Sequence, residues 1–276
     1  MTTPVAIVSP SPSPAPGPCH GAPLASVAIR PGIGRAPSTG GAVCVAAPGD
    51  VVVGFGYRDQ VTVGGGSQEL IVAPAPVALV GLRGRNELIV APGLAFSRRL
   101  GMNASGLPPG SGQQDAGVGF QHLLADRPWT QQAVAAFITV PTGYPAGPSG
   151  FSSGAPSFQL SHTIAIALGA RASVMLSQAV VAASGAAPSG AMQHYLAYVP
   201  TGVFTYATSP TTTLLLQDQI TAPSGPHGTT GNRALAGVQQ TLSPNVVLDV
   251  EYEQNMLPTP GVRQHTVFEA GLTVKL

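Results

Sequence analysis

The chain has 276 residues, a formal net charge of +1 and only 8% charged residues, against about 25% in an average soluble domain. Glycine (35 residues) and proline (28 residues) are abundant, and no run of about 20 apolar residues could form a membrane-spanning helix. This composition argues against a soluble enzyme, a helical membrane protein and a nucleic-acid-binding protein with a basic face, and it favours a β protein whose outer surface faces lipid.

The first region, residues 1–48, is rich in Pro, Gly and Ala and has no sustained period. Its stretch SPSPSPAPGP is typical of polyproline II structure or a linker. The region has no basic start followed by an apolar core, so no secretory signal peptide is evident. We predict an irregular N-terminal segment over 1–48, either in the periplasm or inside a barrel lumen. Its two cysteines, Cys19 and Cys44, could form a disulfide in an oxidising compartment or remain free thiols.

From Asp50 onward, short segments alternate apolar and polar residues, which is the period of a strand with two different faces. The clearest is 264–276, where the apolar residues from Phe268 to Leu276 share one face and the polar residues share the other. We predict strands at 51–59, 74–82, 87–97, 115–125, 131–142, 156–168, 172–183, 190–207, 211–222, 231–242, 246–257 and 264–276.

The connections between these strands alternate in length. The short ones are 83–86, 126–130, 169–171, 208–210 and 243–245, and the longer ones are 60–73, 98–114, 143–155, 184–189, 223–230 and 258–263. Short periplasmic turns, long extracellular loops and an even strand count are typical of outer-membrane barrels. The predicted fold is all-β: a transmembrane antiparallel up-and-down barrel of about twelve strands over 49–276. A soluble sandwich or lipocalin-like barrel is the alternative, but its outer face should carry many charges.

Five segments also match a known family in their order and spacing. They are PAPVALVGLRGRNELIVAPGL, QDAGVGFQHLL, AAFITVPTGYPAG, LAGVQQTLSPNVVLDVEYEQN and RQHTVFEAGLTVKL. Over about residues 45–276 the chain resembles the outer-membrane barrels of the MetA-pathway of phenol degradation family, which are transporter-like. The resemblance implies a bacterial outer-membrane location, surrounding lipid, and a passive or facilitated route for small hydrophobic or aromatic solutes. It implies no catalytic residue.

The C-terminal strand carries a second resemblance. Glu269, Gly271, Val274 and Leu276 are spaced like the signal that the barrel-assembly machinery reads: a polar residue, a glycine and two apolar residues. The usual last residue of that signal is Phe, so Leu276 departs from the pattern. An ordinary amphipathic strand would have the same alternation, and the sequence leaves both interpretations open.

If the polar faces line a lumen, the alternation directs eleven ionisable side chains inward. They are Arg58, Glu87, Asp115, Asp218, Arg233, Asp249, Glu251, Glu253, His265, Glu269 and Lys275. The acids from Asp249 to Glu253 form a ladder along one strand, and we predict that Lys275 and His265 face it from one side and Arg233 from the other. Such a ladder is either a charged constriction that sets selectivity or an internal ion-pair network that fills the lumen.

Motifs that would indicate catalysis or metal binding are weak. The G-x-S-x-G match at 150–154 lies in a loop rather than between a strand and a helix, and the six histidines lack zinc-ligand spacing. We therefore predict no enzyme activity, no cofactor, no metal site and no nucleic-acid partner. The function predicted from the sequence is a channel for small molecules. The alternative is a structural or surface-interaction barrel without transport activity.

Overall fold

The computed structural model describes residues 19, 24, 43–64, 67–73, 75–94, 96–101, 110–144, 152, 154–186, 192–224, 230–256 and 262–276. Within these ranges the chain forms fifteen antiparallel strands. They are β1 (Val51–Gly64), β2 (Ser67–Val72), β3 (Val77–Leu82), β4 (Asn86–Ala91), β5 (Phe96–Leu100), β6 (Gly110–Gln113), β7 (Ala116–Arg127), β8 (Thr130–Val140), β9 (Ser157–Ala167), β10 (Ala172–Ala186), β11 (Met192–Ala207), β12 (Thr212–Ser224), β13 (Gly231–Ser243), β14 (Val246–Asn255) and β15 (Val262–Lys275). No helix in the described part is long and apolar enough to span a bilayer.

The strands close into a barrel because β15 pairs with β1 along almost its whole length. Strands β2 and β3 both pair with β1, so they are two halves of one barrel strand. In the same way β5 continues β4, and β6 continues β7. The result is the predicted closed, antiparallel barrel of twelve strands, which confirms the fold class.

Two of the predicted long loops are wrong. Residues 60–73 contain the end of β1 and all of β2, and residues 98–114 contain part of β5 and all of β6. These segments pair with their neighbours and extend the barrel wall on the side of the long connections.

Each of the three divided strands is interrupted at the same level of the wall, between β2 and β3, β4 and β5, and β6 and β7. The sequence explains the first two interruptions, because proline has no backbone N–H to donate to a ladder and both contain proline. Side chains satisfy backbone groups at the third. The Thr142 hydroxyl accepts a bond from the Ala116 N–H (2.8 Å), and the Asp115 carboxyl accepts one from the Gly143 N–H (2.9 Å).

The two faces of the wall differ in chemistry. Outward side chains are large and apolar, as on β12, where Leu214 and Leu216 are exposed. Inward side chains are mixed: many are polar or charged and buried, as with Gln217 and Gln219 on the same strand, and those that meet residues 43–50 are apolar. Successive residues of a strand point to opposite faces, so the alternation in the sequence produces both surfaces at once. The barrel therefore has an apolar outer belt and a polar interior.

The register also defines the tilt of the strands. Paired residues followed around the barrel, perpendicular to the strands, return to β1 displaced by about 14 residues, which for twelve strands corresponds to a tilt of about 40°. When the strands are taken from β1 through β3 and on to β15, each step perpendicular to the strands rises toward the long connections. The tilt allows the relative heights of residues on different strands to be compared.

Candidate functional site: the barrel lumen

Residues 43–50 lie inside the barrel, at the end where the connections are short. The Ala46 N–H donates to the Glu87 carboxyl at 2.7 Å, and the Gln121 side-chain amide donates to the Val43 carbonyl at 3.2 Å. Both side chains point inward and are buried. A disulfide joins Cys44 to Cys19, with the two Cα atoms 5.1 Å apart. The segment is therefore held to the inner wall at several points.

Apolar packing places this segment across the lumen. Val43 belongs to a buried cluster with residues of β7, β8, β10 and β11, among them Leu123 and Val203. Ala46 and Leu24 belong to a second cluster, with residues of β1, β3, β4 and β14. Because the two clusters involve different parts of the wall, the segment fills much of the lumen at this level.

One glycine of the wall is shaped for this segment. A Cβ atom added at Gly81 of β3 would lie 1.9 Å from the Ala47 carbonyl oxygen and 2.7 Å from that of Ala46. The Gly81 backbone also bonds to the segment: its carbonyl accepts from the Gly49 N–H (3.0 Å) and its N–H donates to the Asp50 carbonyl (2.9 Å). No larger residue would permit this approach of two backbones.

Above this segment, toward the long connections, the inner wall of β14 and β15 is acidic. Asp249, Glu251, Glu253 and Glu269 each have at most 2% of their surface exposed. Glu251 and Glu269 are directly opposite each other in the register, so two carboxyl groups share one level of the lumen. Small neighbours give these groups room, since a Cβ at Gly237 would lie only 2.9 Å from the Glu251 Cγ.

Two arginines and a histidine lie against this acidic wall. The Arg58 Nε is 3.4 Å from a Glu269 oxygen, and the Arg233 Nη1 is 3.3 Å from a Glu253 oxygen. The His265 Nε2 lies 3.8 Å from the same Glu253 oxygen. The structure thus brings together His265, Arg233 and the acids as the sequence analysis expected, and it adds Arg58. We refer to Arg58, Arg233, Asp249, Glu251, Glu253, His265 and Glu269 as the charged wall.

Four predicted lumen residues lie elsewhere. Lys275 pairs with Asp50 at the end with short connections, not with the acids of β14. Glu87 is inward and buried, but it holds Ala46. Asp115 lies at the interruption between β6 and β7 and holds Gly143. Asp218 is exposed on the outer face of β12, which corrects its inward assignment, because inward positions on this strand belong to Leu215, Gln217 and Gln219.

The four residues of the candidate assembly signal lie near the end of β15. Glu269 and Gly271 are on its inward face and buried, whereas Leu276 is fully on the outside with 78% of its surface exposed. Val274 is on the outward face and pairs with Val53 of β1. The predicted division into a polar inner face and an apolar outer face is therefore present at the strand that closes the barrel.

The charged wall consists of carboxyl groups with arginine and histidine side chains beside them. Among the described residues, no group of three or more His, Cys, Asp or Glu side chains is arranged to hold a metal ion. Ser152 of the G-x-S-x-G match is buried and is followed by strand β9, not by the helix that a nucleophile elbow requires.

Sequence reasoning missed Gly81 and Gln121, which hold the N-terminal segment, and Asp50, the residue of the segment that pairs with Lys275. Gly81 lies within an alternating strand, where an isolated glycine can indicate close approach of another backbone. That signal was available for Gly81, but nothing in the sequence named its partner.

No protein-family model and no curated protein matches the chain. Solved structures do match its fold. An outer membrane channel from Pseudomonas putida F1 has a TM-score of 0.64 at 14% identity, covering 84% of this chain and 97% of that one. The NanC porin has a TM-score of 0.52 at 11% identity, covering 82% and 100%. The translocator domain of the autotransporter NalP from Neisseria meningitidis has a TM-score of 0.51 at 8% identity, covering 84% and 90%. At these identities the similarity concerns the fold, which is that of outer-membrane barrels.

Proposed function

We propose that this protein is a bacterial outer-membrane channel for small molecules, closed in the described state by residues 43–50. The observation that carries the proposal is the combination of an apolar outer belt, a closed wall and a lumen with a charged wall above residues 43–50. A barrel with an apolar exterior requires lipid around it. Burying acids beside arginines is often less stabilising than an apolar interior, so such a wall favours a role beyond stability.

The finer assignment rests on resemblance. The segments shared with the MetA-pathway of phenol degradation family favour small hydrophobic or aromatic solutes, and similarity to an outer membrane channel supports transport without naming a solute. The C-terminal pattern from Glu269 to Leu276 favours insertion by the barrel-assembly machinery. In this proposal the protein is not an enzyme.

The charged wall is proposed as the selectivity determinant of the channel. Glu251 is nearest to its centre, because Glu269 lies opposite it and the side chains of β14 flank it on both sides. Replacing Glu251 by Gln retains its size and removes one negative charge from the charged wall. We expect the ratio of cation to anion permeability in planar bilayers to fall by about two- to fivefold, because one buried charge contributes an interaction of this order.

Glu69 provides the matched control. It has the same side chain and lies on β2 near the long connections, opposite Val61 and away from the charged wall. Glu69→Gln should leave the selectivity unchanged. If Glu251→Gln also leaves conductance and selectivity unchanged while the channel still conducts, the charged wall is an internal ion-pair network and not a constriction.

One observation favours the alternative, a structural barrel without transport. The described N-terminal residues occupy much of the lumen near the short connections, and a segment held there would oppose passage. A bilayer recording without conductance, from a protein whose mobility in SDS still shifts on boiling, would favour the structural barrel over the channel.

A further inference from the structure

Three polar side chains lie on the outer face of the barrel, within its apolar belt. His162 is on β9, Gln178 on β10 and Asp218 on β12, and each has the outward parity of its strand. The strand between them, β11, contributes Pro200 and Gly202 at the same place. We refer to His162, Gln178, Pro200, Gly202 and Asp218 as the outer polar patch.

Each polar residue has apolar neighbours above and below it on its own strand. Leu160 precedes His162 on the outer face with 53% of its surface exposed, and Leu176 precedes Gln178 with 52% exposed. Leu216 precedes Asp218 with 56% exposed. The patch therefore does not belong to a water-facing rim. It lies inside the band of side chains that meets lipid under the proposed function.

The register places the three polar residues at nearly one height. His162 is directly opposite Gln178, Gln178 is opposite Pro200, and Asp218 is opposite Gly202. Moving across the strands from β9 to β12 raises the position in the barrel, and moving back along β12 to Asp218 lowers it. With the strand tilt of about 40° these two changes in height largely cancel. The three polar Cα atoms therefore differ in height by about 4 Å. They form a level band across four consecutive strands.

Within the described part of the chain, no hydrogen bond or ion pair involves the side chain of His162, Gln178 or Asp218. Lipid tails offer no partner to such groups, and polar residues on a lipid-facing wall are destabilising. Between them, Pro200 and Gly202 present little bulk, and a Cβ at Gly202 would have only one neighbour, 3.9 Å away. The patch is consequently both polar and open to close approach.

We propose that the outer polar patch is the interface of a homodimer, in which a second copy of this chain binds with both barrels in the same orientation in the membrane. The proposal rests on the membrane location given under the proposed function. A two-fold axis along the membrane normal, between β10 and β11, exchanges β9 with β12 and leaves heights unchanged. His162 of one copy then faces Asp218 of the partner subunit, and the ring N–H donates to the carboxyl group.

This symmetry explains why a second copy suits the patch. The donor and the acceptor lie at its two ends, within about 4 Å in height, with the amide of Gln178 near the axis. A two-fold interface uses one patch twice and must be complementary to itself. Two such pairs form per dimer, and Gln178 meets the low surface that Pro200 and Gly202 provide on the partner. Polar contacts of this kind hold membrane segments together where apolar contacts with lipid are equally favourable.

A cysteine cross-link tests the proposal without altering any of the three polar residues. Cys19 and Cys44 are joined to each other, so Gly202→Cys introduces one free thiol near the axis. Phe55→Cys is the matched control: Phe55 is 46% exposed on β1, on the opposite wall at about the same height. Each variant is reconstituted in phosphatidylcholine vesicles at high lipid-to-protein ratio and treated with a short bis-maleimide.

We expect dimers on a denaturing gel for Gly202→Cys and monomers for Phe55→Cys. Adding Asp218→Leu to Gly202→Cys should reduce the dimer about tenfold, because interhelical polar contacts in membranes have effects of this order. Absence of dimers for Gly202→Cys, equal dimers for both thiols, or dimers unaffected by Asp218→Leu would each overturn the proposal. Conductance is recorded on the same vesicles: dimers without conductance would overturn the proposed function alone.

Discussion

The substitution Gly81→Ala tests whether residues 43–50 close the lumen. The added Cβ would lie 1.9 Å from the Ala47 carbonyl oxygen, and because this oxygen belongs to the backbone, no side-chain rotation relieves the overlap. Inserting a methyl group into a packed site costs about 1–3 kcal/mol. The wall is tied into the sheet on both sides at β1 and β4, whereas the N-terminal segment is held by a few bonds, so the segment should move.

A cost of this size predicts a measurable change in gating. Each 1.4 kcal/mol changes an equilibrium constant tenfold, so the open fraction should rise by about 5- to 150-fold. Single-channel recording in planar bilayers measures this fraction directly. Gly231→Ala is the matched control, because Gly231 begins β13 and an added Cβ there has nothing within 4 Å.

Barrel integrity has to be measured on the same protein. Unboiled and boiled samples of Gly81→Ala should differ in mobility on an SDS gel by as much as those of the unsubstituted protein, since the wall is unchanged. A variant with an intact barrel and an unchanged open fraction would show that residues 43–50 do not limit passage. A rise in open fraction for Gly231→Ala as well would show that the effect is not specific to this contact.

The other predictions concern the attachments of the same segment and one element of the wall. Cys44→Ser removes a 25-residue covalent loop to Cys19, which is worth about 3 kcal/mol, so proteolysis of the N-terminal segment in reconstituted vesicles should accelerate, with the unsubstituted protein plus reductant behaving alike. Glu87→Leu leaves the buried Ala46 N–H without its acceptor, at a cost of about 1–3 kcal/mol, and should raise the open fraction; an unchanged fraction would mean that this bond does not hold the segment. Phe137→Ala should lower stability toward urea by about 3 kcal/mol, because the ring covers two glycines of β7; a loss below about 1 kcal/mol would contradict this packing role.

Alternation was sufficient to predict the fold. Each of the twelve predicted strands overlaps a barrel strand, because a wall with lipid on one side and a polar lumen on the other imposes a two-residue period on every strand. The charged wall followed from the same period: on β14, Asp249, Glu251 and Glu253 fall on one face whichever residue begins the strand. The pairing of Arg58 with Glu269 required the closure of the barrel, which only β1 and β15 together reveal.

The interrupted strands and the N-terminal segment could not be predicted in the same way. Prolines and short runs hide the two-residue period between β2 and β3 and between β4 and β5. Paired strand segments there are therefore predicted as loops. Residues 43–50 have no period at all, because they satisfy their backbone with separate groups, such as the Glu87 carboxyl and the Gln121 amide, rather than with a ladder. Such contacts depend on how the segment fits the inner wall of the folded barrel, and a single sequence does not contain that information.

Asp218 shows how local reasoning chose the wrong face. Three leucines, 214–216, precede it, so apolar residues occupy both faces and the period alone leaves the parity of β12 undecided. Assigning the only charge of β12 to the lumen face would turn Gln217 and Gln219 outward together. The neighbouring strands determine the orientation. Leu215 lies opposite Gly237, and a Cβ added at Gly237 would meet both Leu215 and Glu251. Because Glu251 faces the lumen, Leu215 and both glutamines face it too. Asp218 therefore faces outward as a consequence of the whole sheet, and a charge that the sheet forces into an apolar belt is one for which a partner outside the barrel is to be expected.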